Sequence, residues 1–364
     1  MPVRHGPTRA ILAVRLGRLL LPLLALGLVA ACAPTAQSPT AKAETGANPG
    51  GAPRPALRPV TIVLDWIDRN PQHMGFILAK ERGWYAEQGL DVTLQSGRGS
   101  VQVLQLVTAG QAEFGLINGI TQVQAVAKQN VPVKMVAVVY QKDNLGLRYF
   151  EASGIKSLKD LEGRRIGLVT GSIQHLLWPA FAKASGIDAS KVEVVNVDVQ
   201  TYVQQWSAGQ FDAANTGLGT YETVAFDRQG RHVIEVTFAE TLPLLGFGVV
   251  TPQKLIAERP EVVRGFVKAS QRGWDYLVKS PDQAINEAVA VIKRNDEDTR
   301  DADGIAEAAH KMIPAFMLSR STEGKPLGWS NPDDWRDMIA VTQQVDPLPR
   351  TPTVDELMTN QFVE

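Results

Sequence analysis

The chain has almost no cysteine: Cys32 is the only one among 364 residues. An internal disulfide framework and any metal centre assembled from cysteine pairs are thereby excluded. Histidine is also sparse, with five scattered residues that form no HExxH or paired Cys/His spacing, and no G-x-S-x-G elbow occurs. Neither sign of charge prevails. With 37 basic and 38 acidic residues the formal net charge is −1, so the basic footprint that nucleic acid demands is missing. After residue 31 no apolar run is long enough to cross a bilayer, and a transport role therefore needs a separate permease. Gly97-Arg98-Gly99-Ser100 has the glycines of an anion loop but lacks the Lys-Ser/Thr that a P-loop requires. No nucleotide, metal or other cofactor is expected.

What is present begins with an address. Arg4, Arg9, Arg15 and Arg18 form a basic segment ahead of the apolar run Leu19 to Ala31, which is short for a membrane span and contains Pro22 and Gly27. Residues 1–31 read as a signal peptide. The run closes on Val29-Ala30-Ala31-Cys32, which resembles a bacterial lipobox cleaved ahead of a lipid-modified cysteine. The alternative is an ordinary secretory cleavage beside an incidental cysteine; a lone exported thiol without an internal partner favours the lipoprotein. Lipid on Cys32 tethers a protein to the extracytoplasmic face of the membrane without spanning it. Residues 32–59 are rich in Ala, Pro, Thr, Gly and Ser, bury too little surface to offset ordering entropy, and read as a flexible linker. Without the leader and its four arginines the chain keeps 33 basic against 38 acidic residues, net −5.

The remaining residues, 60–364, exceed what one hydrophobic core usually supports, which predicts two lobes. Val60 to Asp65 reads as a buried strand, the turn Asp68-Arg69-Asn70-Pro71 follows, and Gln72 to Arg82 reads as a helix stopped by Gly83. Helices and strands then alternate, with Ser100 as the cap of a helix over 101–108. This grammar builds mostly parallel sheets flanked by helices. A small echo links the lobes: Thr108-Ala109-Gly110-Gln111-Ala112-Glu113-Phe114-Gly115 recurs as Ser207-Ala208-Gly209-Gln210-Phe211-Asp212-Ala213-Ala214. Chance repetition of common packing grammar is the competing explanation. If the lobes face one another, the helices after Asn118 and Thr220 converge their free amides on one cleft. From about Gly246 long helices take over. The predicted class is α/β, with residues 60–148 plus 248–364 as one lobe, 149–247 as the other, and a hinge of two crossings near 145–157 and 244–250.

Ligands in open α/β sheets sit beyond the carboxyl ends of strands, which places Asp65, Trp66 and His73 where a small molecule would bind. The wording of this stretch, Leu64-Asp65-Trp66, a short Asn/Pro loop, His73, Gly75, then Ala79-Lys80-Glu81-Arg82-Gly83-Trp84-Tyr85 and Gly89-Leu90-Asp91-Val92, resembles the substrate-binding proteins of ABC importers. The branch it resembles binds the thiamine-pyrimidine precursor, within the sulfonate/nitrate/taurine type. That resemblance spans much of 60–291, although only the opening motif is specific to the branch. It implies a two-lobed periplasmic-binding-protein fold of type II, a monomer that closes on a small flat heterocycle, and an ABC permease with its ATPase as partners. Riboflavin or a sulfonate- or nitrate-type anion is the alternative ligand. Pyrimidine synthases share the resemblance, but their cysteine-rich motif is absent here, which argues for binding without turnover.

In that family the tryptophan and the histidine correspond to ligand-contacting positions, so Trp66 is expected to stack on a flat ring and His73 to line it. Gly217-Leu218-Gly219-Thr220-Tyr221-Glu222 resembles a second-lobe segment whose carboxylate meets the aminopyrimidine edge. A carboxylate offers two acceptors to an amino group and a protonated ring nitrogen. A first-turn glutamate favoured by the helix dipole is a compatible reading of Glu222. Ile67-Asp68-Arg69, Leu218 and Thr220 depart from the family pattern and leave room for another heterocycle. Asn118, Tyr140, Thr170, Gly171, Ser172 and Asn215 lie at predicted strand ends or helix starts, where they either hydrogen-bond a ligand or act as caps and turn residues.

Overall fold

A computed structural model describes residues 56–66, 70–295 and 302–364. The expected leader, Cys32 and most of the linker lie outside the described residues. The chain runs β1 (Arg58–Val63), α1 (Met74–Glu81), α2 (Trp84–Glu87), β2 (Leu90–Gln95), α3 (Ser100–Thr108), β3 (Phe114–Asn118), α4 (Gly119–Gln129) and β4 (Val133–Val138). It continues with β5 (Leu145–Phe150), β6 (Arg165–Val169), α5 (Ile173–Ala184), β7 (Glu193–Val197), α6 (Tyr202–Ser207), β8 (Ala213–Gly217), α7 (Tyr221–Arg228) and β9 (Val233–Thr237). Then follow β10 (Phe247–Pro252), α8 (Gln253–Glu258), α9 (Pro260–Lys279), α10 (Pro281–Asn295), α11 (Ala302–Phe316), α12 (Pro332–Val345) and α13 (Val354–Leu357).

Two five-stranded sheets result, in the orders β2-β1-β3-β10-β4 and β7-β6-β8-β5-β9. In each the first three strands are parallel and the fourth, β10 or β5, runs antiparallel. This is a two-lobed α/β fold. The echoed segments lead into β3 and β8, which hold the same third place in their sheets. The chain passes between sheets twice, after β4 and after β9, and the crossings bond to each other: Asp143 N donates to the Leu244 carbonyl at 2.9 Å and Gly246 N to that of Tyr140 at 3.1 Å.

β5 and β9 are strands that the sequence reading did not anticipate. The pattern Leu-Gly-Leu-Arg-Tyr-Phe hides a strand because Arg148 is buried where alternation expects an apolar residue. Nor does Ser100 cap α3: Gly99, at φ 101°, occupies that position, and the Ser100 hydroxyl accepts from Asn118 N at 3.0 Å. The long helices follow their sequence signals. Pro260 opens α9 in the position where its missing N–H costs nothing, and Val263, Phe266, Val267, Trp274 and Leu277 form a buried stripe, each side chain contributing about 1.5–3 kcal/mol. Trp274 meets Phe76 edge-on at 5.6 Å.

α11 and α12 reach across to the second sheet. α11 packs on α7 and on the turn Pro71–His73, while Val341 and Val345 of α12 join the hydrophobic cluster of the second sheet. Backbone bonds add to this, since the Phe316 carbonyl at the end of α11 accepts from Gln141 N at 2.7 Å.

Candidate functional site

The carboxyl end of β1 delivers Asp65, 5 % exposed, into a nest of side chains. A single turn of 3-10 helix, Pro71–His73, folds back over it with all three residues buried. Asn70 N donates to His73 Nδ1 at 3.1 Å, so Nδ1 is the bare nitrogen. The proton therefore sits on Nε2, which donates to Asp65 Oδ1 at 2.7 Å. Gln72 Nε2 donates to Asp65 Oδ2 at 3.3 Å. That bond fixes the amide orientation and leaves Gln72 Oε1 buried without a partner among the described residues. Tyr140, just beyond β4, is fully buried with a hydroxyl that has no partner among the described residues, and burial followed by the Asp65 charge holds its pKa well above the ordinary tyrosine value. Trp66 is half-buried beside Asp65.

The glycine-rich turn serves this corner structurally. Gly99 N donates to the Asp65 carbonyl at 2.7 Å, and a Cβ on Gly97 would stand 2.2 Å from the Leu64 oxygen.

Asn118 is committed to the protein: its Oδ1 accepts from Ile120 N at 3.1 Å and its amide donates to Asp143. Gly119 N, the next amide of α4, is taken by the Gly246 carbonyl at 3.0 Å. The expected free amides at the start of α4 are thus already used, a correction that follows from the second crossing lying directly over that helix end. Asp143 is buried, and burial raises its pKa to about 7 against hydrogen bonds from Asn118 and Leu145.

On the second sheet, Ser172 caps α5 by accepting from His175 N at 3.1 Å, and Gly171 turns at φ 76°. Asn215 Oδ1 accepts from Val169 N at 3.1 Å, tying β8 to β6. Thr220 caps α7 by backbone geometry, yet its buried Oγ1 has no partner among the described residues. Tyr221, whose side chain is not among the described ones, opens α7, and Glu222 lies half-buried in its first turn. Asn144, at the first crossing, also leaves its Oδ1 buried and without a partner among the described residues, while its carbonyl accepts from Leu218 N at 2.7 Å.

Asp65, His73 and Tyr140 thus form one corner, and Ser172, Asn215 and Glu222 sit at the ends of β6 and β8 or the helices after them. α11 touches both the His73 turn and α7. Gln72, Asn144 and Thr220 escape sequence reading because an amide or hydroxyl gains meaning only when its neighbours leave it unpaired. A groove of about 530 Å³ at the first crossing is separate, lined by Gln141, Lys142 and the 317–327 segment rather than by Asp65 or Glu222. Among the described residues no cluster of His, Cys, Asp or Glu could hold a metal, and no helix is long and apolar enough to cross a membrane.

A sequence profile described as NMT1/THI5 like matches residues 70–284, more than half of the chain. The riboflavin-binding protein RibY of Chloroflexus aurantiacus is 28% identical over 361 residues, covering 96% of this chain and 98% of its own. The formylaminopyrimidine-binding protein of Halalkalibacterium halodurans is 23% identical, over 78% of this chain and 84% of its own. A 4-amino-5-hydroxymethyl-2-methylpyrimidine phosphate synthase of Legionella pneumophila is 27% identical, over 62% and 71%. Among solved structures, the periplasmic aliphatic sulphonate-binding protein SsuA of Escherichia coli superposes with a TM-score of 0.63 at 16% identity, over 84% of this chain and 99% of its own. The periplasmic nitrate-binding protein NrtA of Synechocystis gives 0.62 at 10% identity, over 84% and 87%. The fold is that of the periplasmic binding proteins.

Proposed function

The chain belongs to the NMT1/THI5-like family, and from that premise we propose that it is the extracytoplasmic solute-binding component of an ABC importer, one that captures an aminopyrimidine of the thiamine-precursor type. The observation that carries the reading is the sign of the unpaired polar atoms. Gln72 Oε1 and Asn144 Oδ1 are acceptors, the hydroxyls of Tyr140 and Thr220 are open to accept, and Asp65 adds a carboxylate behind them. A buried unpaired acceptor costs about 1–3 kcal/mol until a donor reaches it. The fitting ligand therefore brings N–H groups, as an aminopyrimidine does with its amino group and protonated ring nitrogen. A sulfonate or nitrate brings only acceptors: the two hydroxyls can turn to donate to it, but the Gln72 and Asn144 oxygens and the Asp65 carboxylate repel it.

In this reading Trp66 stacks on the ring, His73 and Gln72 line its edge through the Asp65 anchor, and Glu222 closes from the second lobe with a charge-assisted pair. The lobes follow the sequence bounds, 60–148 with 248–364 and 149–247, except that all of β5 (Leu145–Phe150) is counted with the second lobe because it pairs with β8 and β9, and contacts from both to one ligand favour the closed state that a permease reads. Binding without turnover accords with the single cysteine, and Cys32 supplies the lipid tether of a monomer. Riboflavin is the second reading, favoured by the relative that aligns from end to end; its imide edge sets one N–H between two carbonyls and asks for donors as well.

Thermal unfolding of the protein against formylaminopyrimidine, hydroxymethylpyrimidine, riboflavin, taurine and nitrate tests this. A ligand at a hundred times its Kd stabilises the folded state by about 2.7 kcal/mol, so the pyrimidines are expected to raise the midpoint by several degrees and the anions to leave it still. A shift with riboflavin alone transfers the site to the flavin; a shift with the anions alone defeats the donor–acceptor argument.

A further inference from the structure

We propose that Glu235, which the binding role leaves unassigned, is the positioning residue of the second lobe's half of the site: it sets the turn Gly217 to Thr220 so that Thr220 and Glu222 address the ligand while Gly219 seats against the first lobe. The proposal rests on the binding role above. It extends that role to a residue on an edge strand.

Glu235 lies in the middle of β9, directly opposite Arg148 of β5. Its Oε2 accepts from Gly219 N at 2.9 Å and its Oε1 from the Thr223 hydroxyl at 2.6 Å. These donors flank Thr220, the cap of α7, so one carboxylate spans the helix start that presents Thr220 and Glu222. Burial raises the Glu235 pKa, while the bonds from Thr223 and Gly219 and the charge of Arg148 pull it down. Arg148 is itself 1 % exposed, stands 4.8 Å over the Trp206 ring, and has no hydrogen bond from any of its three guanidinium nitrogens among the described residues. Its service to Glu235 is therefore Coulombic, a buried countercharge that opposes the burial raising the carboxyl's pKa without competing for its oxygens.

The turn is gripped from the other side as well. Gly219 has φ 67°, a conformation that side chains resist, and a Cβ there would stand 2.4 Å from Met312 Cγ of α11. α11 also packs on the Pro71–His73 turn. A contact chain thus runs from Glu235 through Gly219 to α11, which carries Met312 against Gly219 and also packs on the turn that holds His73.

The test is Glu235→Gln in the full-length protein, which preserves size and can still meet both the Gly219 amide and the Thr223 hydroxyl, but without the charge that strengthens both bonds. Hydrogen exchange at the Gly219 amide should accelerate about tenfold, and dissociation of hydroxymethylpyrimidine should quicken about tenfold with association within about twofold, the scale of one charge-assisted hydrogen bond. Thr223→Val removes one donor without touching β9 and should shift both readouts in the same direction by less. Wild-type exchange at Gly219 in Glu235→Gln overturns the proposal, as does faster exchange with unaltered dissociation. If the wild-type protein binds no pyrimidine, the ligand assignment fails, and the exchange measurement alone decides whether Glu235 holds the turn.

Discussion

The two halves of the candidate site are built differently. On the first sheet, Asp65, His73 and Gln72 are buried and bonded to each other through side chains, with Tyr140 packed beside them. On the second, Ser172 and Asn215 spend their oxygens on local backbone amides, and Glu222 stands half-exposed on the first turn of a short helix. The first half is a formed platform whose polar groups hold one another in place, which lowers the ordering cost when a ligand arrives. The second is a set of caps and turns positioned by the backbone, suited to moving as a unit with its lobe.

The largest effect that separates them is expected from Asp65→Ala. It strands the His73 Nε2–H and the Gln72 amide in a buried site, so stability should fall by about 3 kcal/mol in urea titrations and ligand binding should vanish with it. Glu222→Gln should do the reverse: folding changes by less than about 0.5 kcal/mol, as for most exposed substitutions, while pyrimidine affinity in calorimetry drops about thirtyfold through loss of a charge-assisted pair. Equal stability losses in the two variants would erase the contrast. Tyr140→Phe refines it. Its hydroxyl has no partner among the described residues, so the ligand-free protein should be unchanged or slightly more stable, whereas affinity should fall about tenfold. An unaltered affinity removes Tyr140 from the site.

The same contrast explains what the sequence discloses. The first half is legible because a β-branched run ends on Asp65-Trp66 and a glycine stops the following helix, signals that lie within a few residues of each other. The long helices expected after Gly246 are legible in the same way: α9 and α12 begin on Pro260 and Pro332, where proline marks a helix start, and an apolar stripe carries their length. β5 and β9 are illegible for the opposite reason. Arg148 and Glu235 break the apolar alternation, and they are tolerated because the fold pairs them across β5 and β9 although 87 residues separate them in the chain, a pairing that neither local sequence reveals. The places of Asn118 and Asn215 at strand ends are readable, but that backbone amides consume their oxygens depends on what packs above them.

The last contrast concerns the joint between the halves. Asp143 sits at the first crossing, where its carboxylate accepts from Asn118 of the first sheet and from Leu145 N at 2.6 Å in the second, and its carbonyl accepts from Thr237 Oγ1 at 2.9 Å. Burial raises its pKa from 3.8 to about 7. Between those values the folded protein holds a proton that the unfolded chain has released, so this group makes stability fall as pH rises through that window, with the loss complete above it. Asp143→Asn cannot titrate. Denaturation midpoints measured from pH 4 to 8 should therefore decline for the wild type relative to the variant, and the gap should stop widening once the pH passes about 7. Parallel curves would mean that the carboxyl is ionised throughout, held by Asn118 and Leu145 more tightly than burial opposes, and that the joint between the lobes is insensitive to pH.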